Sequence, residues 1–291
     1  MGVRSTAEAD GREFYTRHSP LTDPGDLSHL LDGLPRDVAT LVTVVRGVLV
    51  HRDEPPWRFG FELSEERYRQ SGTRRLRDIL AVLGDLRERP VVERFPSTCR
   101  DFCVLLCALL RHAGVPARPR AGFGNYFPRC GAPALYDDHW VVEYWDDERG
   151  WLLADAELAR PEDREAYQVE FDAVDVPRDR FLVAGRAWLA GRSGEIDPGI
   201  FTISGIELSG LPAIQGTVVR DLGLLNLVEA LPWDNWGVMT RPFTGLGYAE
   251  LALLDQVAEV GAKGGPVDEA TALYWTHVEL QADDLVAKGL N

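Results

Sequence analysis

Pro96-Ser97-Thr98-Cys99-Arg100-Asp101-Phe102-Cys103-Val104-Leu105-Leu106-Cys107-Ala108-Leu109-Leu110-Arg111 is the stretch that decides the fold. Phe102, Leu106, Leu109 and Leu110 recur at helical spacing, with Cys103 and Cys107 on the adjoining apolar stripe. Pro96, Ser97 and Thr98 supply turn and N-cap chemistry just before this run, which places Cys99 in the first turn of a helix. A thiol there feels unpaired backbone N–H groups and the positive end of the helix dipole. Both favour thiolate over thiol, so the geometry that starts the helix also activates a nucleophile. The same N–H groups can stabilise an oxyanion on an attacked carbonyl.

Downstream segments supply partners for that thiol. The helix is expected to end at His112-Ala113-Gly114, and Val115-Pro116-Ala117-Arg118 leads into a strand-like run from Pro119 to Phe127. Asp138-His139-Trp140-Val141-Val142-Glu143-Tyr144-Trp145 alternates and is rich in β-branched and aromatic residues, so it reads as a strand with His139 near its start. The polar turn Asp146-Asp147-Glu148-Arg149-Gly150 joins it to a third strand, Trp151-Leu152-Leu153-Ala154-Asp155. Two strands linked in this way pair as an antiparallel hairpin, which is expected to make His139 and Asp155 cross-strand neighbours. A carboxylate beside an imidazole can orient it, and the imidazole can take the proton from Cys99.

Taken in order, Cys99-Arg-Asp-Phe through Leu109-Leu110-Arg111, Gly114-Val115-Pro116-Ala117-Arg118, His139-Trp140 and Trp151-Leu-Leu-Ala-Asp155 resemble the transglutaminase-like superfamily. The resemblance runs from Ser97 to Asp155, roughly a fifth of the chain. It implies a papain-like α+β core in which an N-terminal catalytic helix packs on an antiparallel sheet. It also implies Cys99 as nucleophile, His139 as base and Asp155 as the group that orients the histidine. Members usually carry Gly, or Gly followed by Asp or Asn, before the cysteine; here Ser97-Thr98 stands there. The implied activity is acyl transfer or hydrolysis at an amide or thioester through a Cys-bound thioester. The implied substrate is a peptide, protein or small molecule, free or carrier-bound, and the implied acceptor is an amine or water. No metal or organic cofactor is expected, and no acidic loop matches the calcium sites of animal transglutaminases. One alternative is an N-acyltransferase using coenzyme A or a carrier protein; the Arg-Gly-Gly-x-Cys neighbourhood of arylamine N-acetyltransferases is absent. Another is a non-catalytic interaction module that retains the fold.

Other residues have plainer readings. Cys103 and Cys107 read as small core hydrophobes, and Cys130, in a Pro/Gly loop, as a surface thiol with no role. The Cys99, Cys103 and Cys107 spacing lacks the second ligand cluster that a zinc site needs. His112 suits the negative end of the helix dipole, whereas His18, His29, His51 and His277 lack triad-like neighbours. Trp140 is expected to flank the site and contact substrate, while Phe123, Tyr126, Phe127, Tyr144, Trp145 and Trp151 read as core. Arg118, Arg120 and Arg129 read as a solvated face, the alternative being a grip on a substrate carboxylate or phosphate.

Composition bounds these readings. The chain has 291 residues and a formal net charge of −15, which argues against nucleic acid and anionic membrane as partners. Four cysteines, three of them on one helix, fit a reducing cytoplasm rather than a disulfide framework. Met1 to Asp10 has no apolar h-region and no apolar run approaches ~20 residues, so cytoplasmic localisation is expected. Residues 1–26 are polar and rich in turn formers and read as a loose arm; 27–291 read as a single domain, its core at about 73–160. Helices are expected over 27–50 (broken at Pro35), 63–70, 73–88, 180–192 and 217–231, with two or three more from Tyr248 onward. These form helical additions at both ends of the core. The acidic run 156–176 is expected to lie across the mouth of the site.

Overall fold

The computed structural model describes residues 11–127 and 135–282. Arg129 and Cys130 lie outside the described residues. The chain divides into two compact units, whereas its composition suggests no boundary. Strands β3 (Ala117–Gly124) and β4 (Tyr136–Asp146) each run through both.

The first unit comprises Thr16–Pro119 and Val141–Val176. Helix α1 (Val38–Val48) starts where the Asp37 side chain accepts from the Thr40 N–H at 2.8 Å, and it buries Leu41, Val42, Val45 and Val48. The break expected at Pro35 is real: a 3-10 turn, Gly25–Leu31, precedes α1 instead of a continuous helix. Strand β1 (Leu49–His51) follows, then α2 (Glu65–Gln70), capped by Ser64, and α3 (Leu76–Leu83). Strand β2 (Phe95–Ser97) pairs parallel with β1, and the Ser97 hydroxyl donates to the Val50 carbonyl at 2.9 Å. Helix α4 (Cys99–His112) is buried from Cys99 to Arg111, so it is a core helix with α1 and α3 packed against it. The second half of β4 pairs antiparallel with β5 (Gly150–Ala154), from Asp146↔Gly150 to Val142↔Ala154. After β5 come a 3-10 turn, Ala156–Leu158, and α5 (Pro161–Tyr167).

The second unit contains residues 11–15, Arg120–Trp140 and 177–282. Strand β6 (Phe181–Val183) pairs antiparallel with the end of β3, and α6 (Ala184–Ser193) continues from it, so the helix expected at 180 opens as a strand. Strand β7 (Phe201–Ile203) pairs parallel with the start of β4 and antiparallel with β8 (Leu208–Ser209). The sheet is therefore mixed rather than purely antiparallel, in the order β6-β3-β4-β7-β8, with β5 on β4. Helix α7 (Leu211–Leu225) begins earlier than its apolar period suggested because Pro212 suits its first turn. It packs with α6 and α8 (Tyr248–Lys263), and α9 (Val267–Thr276) completes the set. Helices α6 and α8 meet at Gly185, where an added Cβ would lie 2.4 Å from the Ala258 carbonyl oxygen.

Two expectations need correction. Residues 11–26 are not loose: Arg12–Thr16 forms a 3-10 turn, and Tyr15, Ser19, Leu21 and Thr22 are buried. The apolar side chains interleaved among their polar neighbours find partners that composition cannot show; the Tyr15 hydroxyl, for example, donates to the Leu225 carbonyl at 3.1 Å. The run 156–176 is not acidic surface throughout, since Ala156, Glu157, Leu158, Tyr167, Val169, Ala173 and Val176 are all buried. No helix among the described residues is long and apolar enough to cross a membrane.

Candidate active site

Cys99 is the first residue of α4 and is 9% exposed, against 3% for Cys103 and 0% for Cys107. Thr98 is its N-cap: both its N–H and its hydroxyl donate to Asp101 Oδ2, at 2.9 and 3.2 Å. Asp101 Oδ1 accepts from Arg100 at 2.9 Å. Burial pushes the Asp101 carboxyl up, with Arg100 and Thr98 pulling the other way. Thr98 thus holds the first turn of α4 through an acid at N3, at the positive end of the helix dipole.

One turn further on, burial lifts the Cys103 thiol well above its ordinary value, and Cys107, Cys99, Asp155 and Glu157 add to the effect. Cys103 is therefore an unreactive thiol. The 3-10 turn Ala156–Leu158 packs on α4, and Asp155 is its N-cap, with Oδ1 accepting from the Glu157 N–H at 3.0 Å. The Asp155 N–H donates to the Ala173 carbonyl at 2.7 Å, so the residue is held on both sides.

His139 belongs to the second unit, in the first half of β4, and is 3% exposed. The paired ladder ends at Val142↔Ala154, and β5 stops before Asp155. Neither His139 nor Asp155 belongs to that ladder. The imidazole meets Phe127 with ring centroids 4.6 Å apart. Trp140, expected to contact substrate, is 2% exposed and, by strand alternation, lies on the opposite side of β4 from His139.

Asp138, beside the histidine, is pushed up to about 6 by burial and by Asp137, against the pull of Arg220 and His139. The folded protein therefore keeps this proton up to about 6, whereas the unfolded chain releases it near 3.8. Stability is lost as pH rises through that window. Asp138→Asn is expected to raise Tm at pH 7, with the gain vanishing toward pH 4; equal shifts at both pH values in thermal scans would contradict this.

Arg118 and Arg120, read as solvated, are 2% and 0% exposed. Arg118 pairs with Glu143 at 2.7 Å and lies 4.2 Å from the Trp151 ring centroid. Arg120 grips Asp221 with Nε at 2.9 Å and a second nitrogen at 2.8 Å, and also donates to the Gly261 carbonyl at 2.6 Å. Neither is placed to grip a substrate. His112, at the end of α4, pairs with Asp32 at 3.0 Å.

The sequence reading missed a charge cluster in the first unit. Glu54, 0% exposed, accepts two bonds from Arg46, both at 2.8 Å, one from Arg58 at 2.9 Å and one from the Tyr167 hydroxyl at 2.9 Å. Asp163 accepts from Arg46 at 3.0 Å and from Arg58 at 2.6 Å. Arg46 also lies 5.9 Å from the Phe102 ring centroid, so the cluster links α1, α4 and α5. Among the described residues, no three His, Cys, Asp or Glu side chains are grouped to hold a metal ion.

The family model of the transglutaminase-like superfamily matches residues 78–156, a span that contains Cys99, His139 and Asp155. A curated relative, a protein-glutamine gamma-glutamyltransferase of Pseudomonas aeruginosa, is 27% identical over 175 residues, which cover 57% of this chain and 24% of the relative. The chain thus spans about a quarter of that relative's length. No solved structure matches the chain at a significant level.

Proposed function

We propose, from the match of residues 78–156 to the transglutaminase-like superfamily, that this chain is a cysteine-dependent acyltransferase with Cys99 as nucleophile, His139 as base and Asp155 as the carboxylate that orients the imidazole. The observation that carries the reading is the placement of Cys99 at the first residue of a buried helix, with Asp155 capping the 3-10 turn that packs on the same helix. The helix N-terminus favours the thiolate, and its backbone N–H groups favour an oxyanion on the attacked carbonyl.

In this mechanism the Cys99 thiolate attacks an acyl carbonyl. The bond to the leaving group breaks, and His139 delivers the proton that the departing amine or thiol needs. The resulting thioester passes its acyl group to an amine or to water, and His139 takes the acceptor's proton. The name of the Pseudomonas relative supports the γ-carboxamide of a glutamine side chain as donor, with ammonia as leaving group.

Alkylation by iodoacetamide, mapped by mass spectrometry across pH, tests the nucleophile. Cys99 is expected to label with a midpoint well below the ordinary thiol value of about 8.5, while Cys103 and Cys107 stay protected. Labelling of Cys99 no faster than that of Cys130 would sink the proposal.

A further inference from the structure

Residues 67–77 run from α2 into α3 in the first unit and read Arg67-Tyr68-Arg69-Gln70-Ser71-Gly72-Thr73-Arg74-Arg75-Leu76-Arg77. They carry five arginines and no acid, in a chain whose formal net charge is −15. Arg67 turns inward and donates to the carbonyls of Val92 and Arg94. Arg69 and Arg77 face solvent, with 73% and 49% of their side chains exposed, and Arg74 and Arg75 are half-buried. Arg69 pairs with Glu65 and Arg77 with Asp26, both acids lying in open solvent. Ion pairs this wet contribute little and exchange readily for other carboxylates.

The segment is tied to the head of α4. Arg100 follows Cys99 and is 0% exposed, and its guanidinium donates to the Arg74 carbonyl at 2.6 Å and the Thr73 carbonyl at 3.4 Å. Helices α2 and α3 both pack on β2, which ends at Ser97, and α3 also packs on α4. A basic surface is thus fixed beside the first turn of α4 by a buried side chain of that same turn.

We propose that Arg69, Arg74, Arg75 and Arg77 form a docking surface for a short acidic stretch of the acyl donor polypeptide, next to its reacting residue; the proposal deepens the reading of Cys99 as nucleophile and rests on it. Two electrostatic effects compete here. The charge of the whole chain repels an acidic donor, whereas the local arginines attract it. At physiological ionic strength the screening length is about 8 Å, so a short segment lying on the arginines feels them and little of the rest. A long polyanion such as a nucleic acid runs beyond the patch and meets the acidic remainder. Arginine also matches a carboxylate with two parallel hydrogen bonds, which fixes the register of the donor as well as its attraction.

The test is fluorescence anisotropy with labelled peptides on the full chain carrying Cys99→Ala, so that nothing turns over. The probes are Glu-Glu-Gln-Gly-Glu-Glu, Ser-Ser-Gln-Gly-Ser-Ser and Lys-Lys-Gln-Gly-Lys-Lys. At about 0.01 M salt the acidic peptide is expected to bind about tenfold tighter than the serine peptide, and the difference should vanish near 1 M salt. Arg69→Glu with Arg77→Glu should remove the preference, while Arg87→Glu, at an exposed arginine outside the segment, should leave it in place. Tightest binding of the lysine peptide, or an acidic preference that survives the double reversal, overturns the proposal. Oligothymidylate bound more tightly than the acidic peptide overturns the assignment of a polypeptide partner. Turnover keeps the two readings apart: wild type with hydroxylamine should convert the glutamine of the serine peptide to a hydroxamate. Hydroxamate without acidic preference sinks the docking surface alone; acidic preference without hydroxamate from any of the peptides sinks the acyl-transfer reading on which it rests.

Discussion

Cys99→Ala is expected to abolish acyl transfer while leaving the protein folded. The substitution removes one sulfur at the first position of α4, where alanine is the better helix former. The bonds from Thr98 to Asp101 that hold this first turn do not involve the thiol. Turnover of a p-nitrophenyl ester should fall by a factor on the order of 10⁴ to 10⁶, the usual cost of deleting a nucleophile that acts as a unit with its base. Cys103→Ala provides the contrast. Its thiol is buried and pushed toward the neutral form, so its loss should cost about 1 kcal/mol of packing and leave turnover in place. Comparison of initial rates with thermal melts for the two variants separates chemistry from stability. A Cys99→Ala protein that still turns over at the wild-type rate would remove the nucleophile from the mechanism.

Glu54→Ala is expected to be the most destabilising single change in the first unit, by about 3–5 kcal/mol. The substitution leaves the Arg46 guanidinium 0% exposed with only Asp163 to balance it, and strips an acceptor from Arg58 and Tyr167. A buried cation that loses its bidentate partner retains the full cost of its lost hydration. Burial alone would push the Glu54 carboxyl up, but Arg46 outweighs it and holds the group at about 2. A carboxyl depressed in the folded state contributes stability above its unfolded value of 4.5 and loses it as pH falls toward 2. Wild type should therefore weaken across that window, and Glu54→Ala should show a flatter acid limb. Urea unfolding at pH 7 and pH 3 measures both effects. A loss below about 1 kcal/mol at pH 7 would mean that the cluster is no better than a surface ion pair. Replacing Arg46 and Glu54 together by apolar residues should cost less than Glu54→Ala, because no charge is then stranded.

Some of this architecture was legible before any coordinates. The boundaries of α4, the hairpin of β4 and β5, and the break before α1 follow from signals within a few residues of each feature: a cap, a turn, a period or a proline. Asp155 was readable as a candidate because it ends a strand pattern, yet its seat as the cap of a 3-10 turn against α4 was not. Where the hairpin ladder stops escaped for a related reason. The turn sets which residues pair near it, but where pairing stops depends on neighbouring segments such as Ala173, which takes up the Asp155 N–H.

By itself, the sequence determined a cysteine at the head of an apolar helix and the strands that carry a histidine and lead to an aspartate, since capping, periodicity and turn chemistry are local interactions. Only the tertiary structure decided the parallel pairing of β7 on β4 and which side chains of 11–26 and 156–176 are buried. It also decided that Arg46, Arg118 and Arg120 are buried and ion-paired rather than solvated. The same arginine is stable on a wet surface or in a paired interior. Which state holds depends on whether a carboxylate far along the chain, such as Asp163 for Arg46 or Asp221 for Arg120, arrives to meet it.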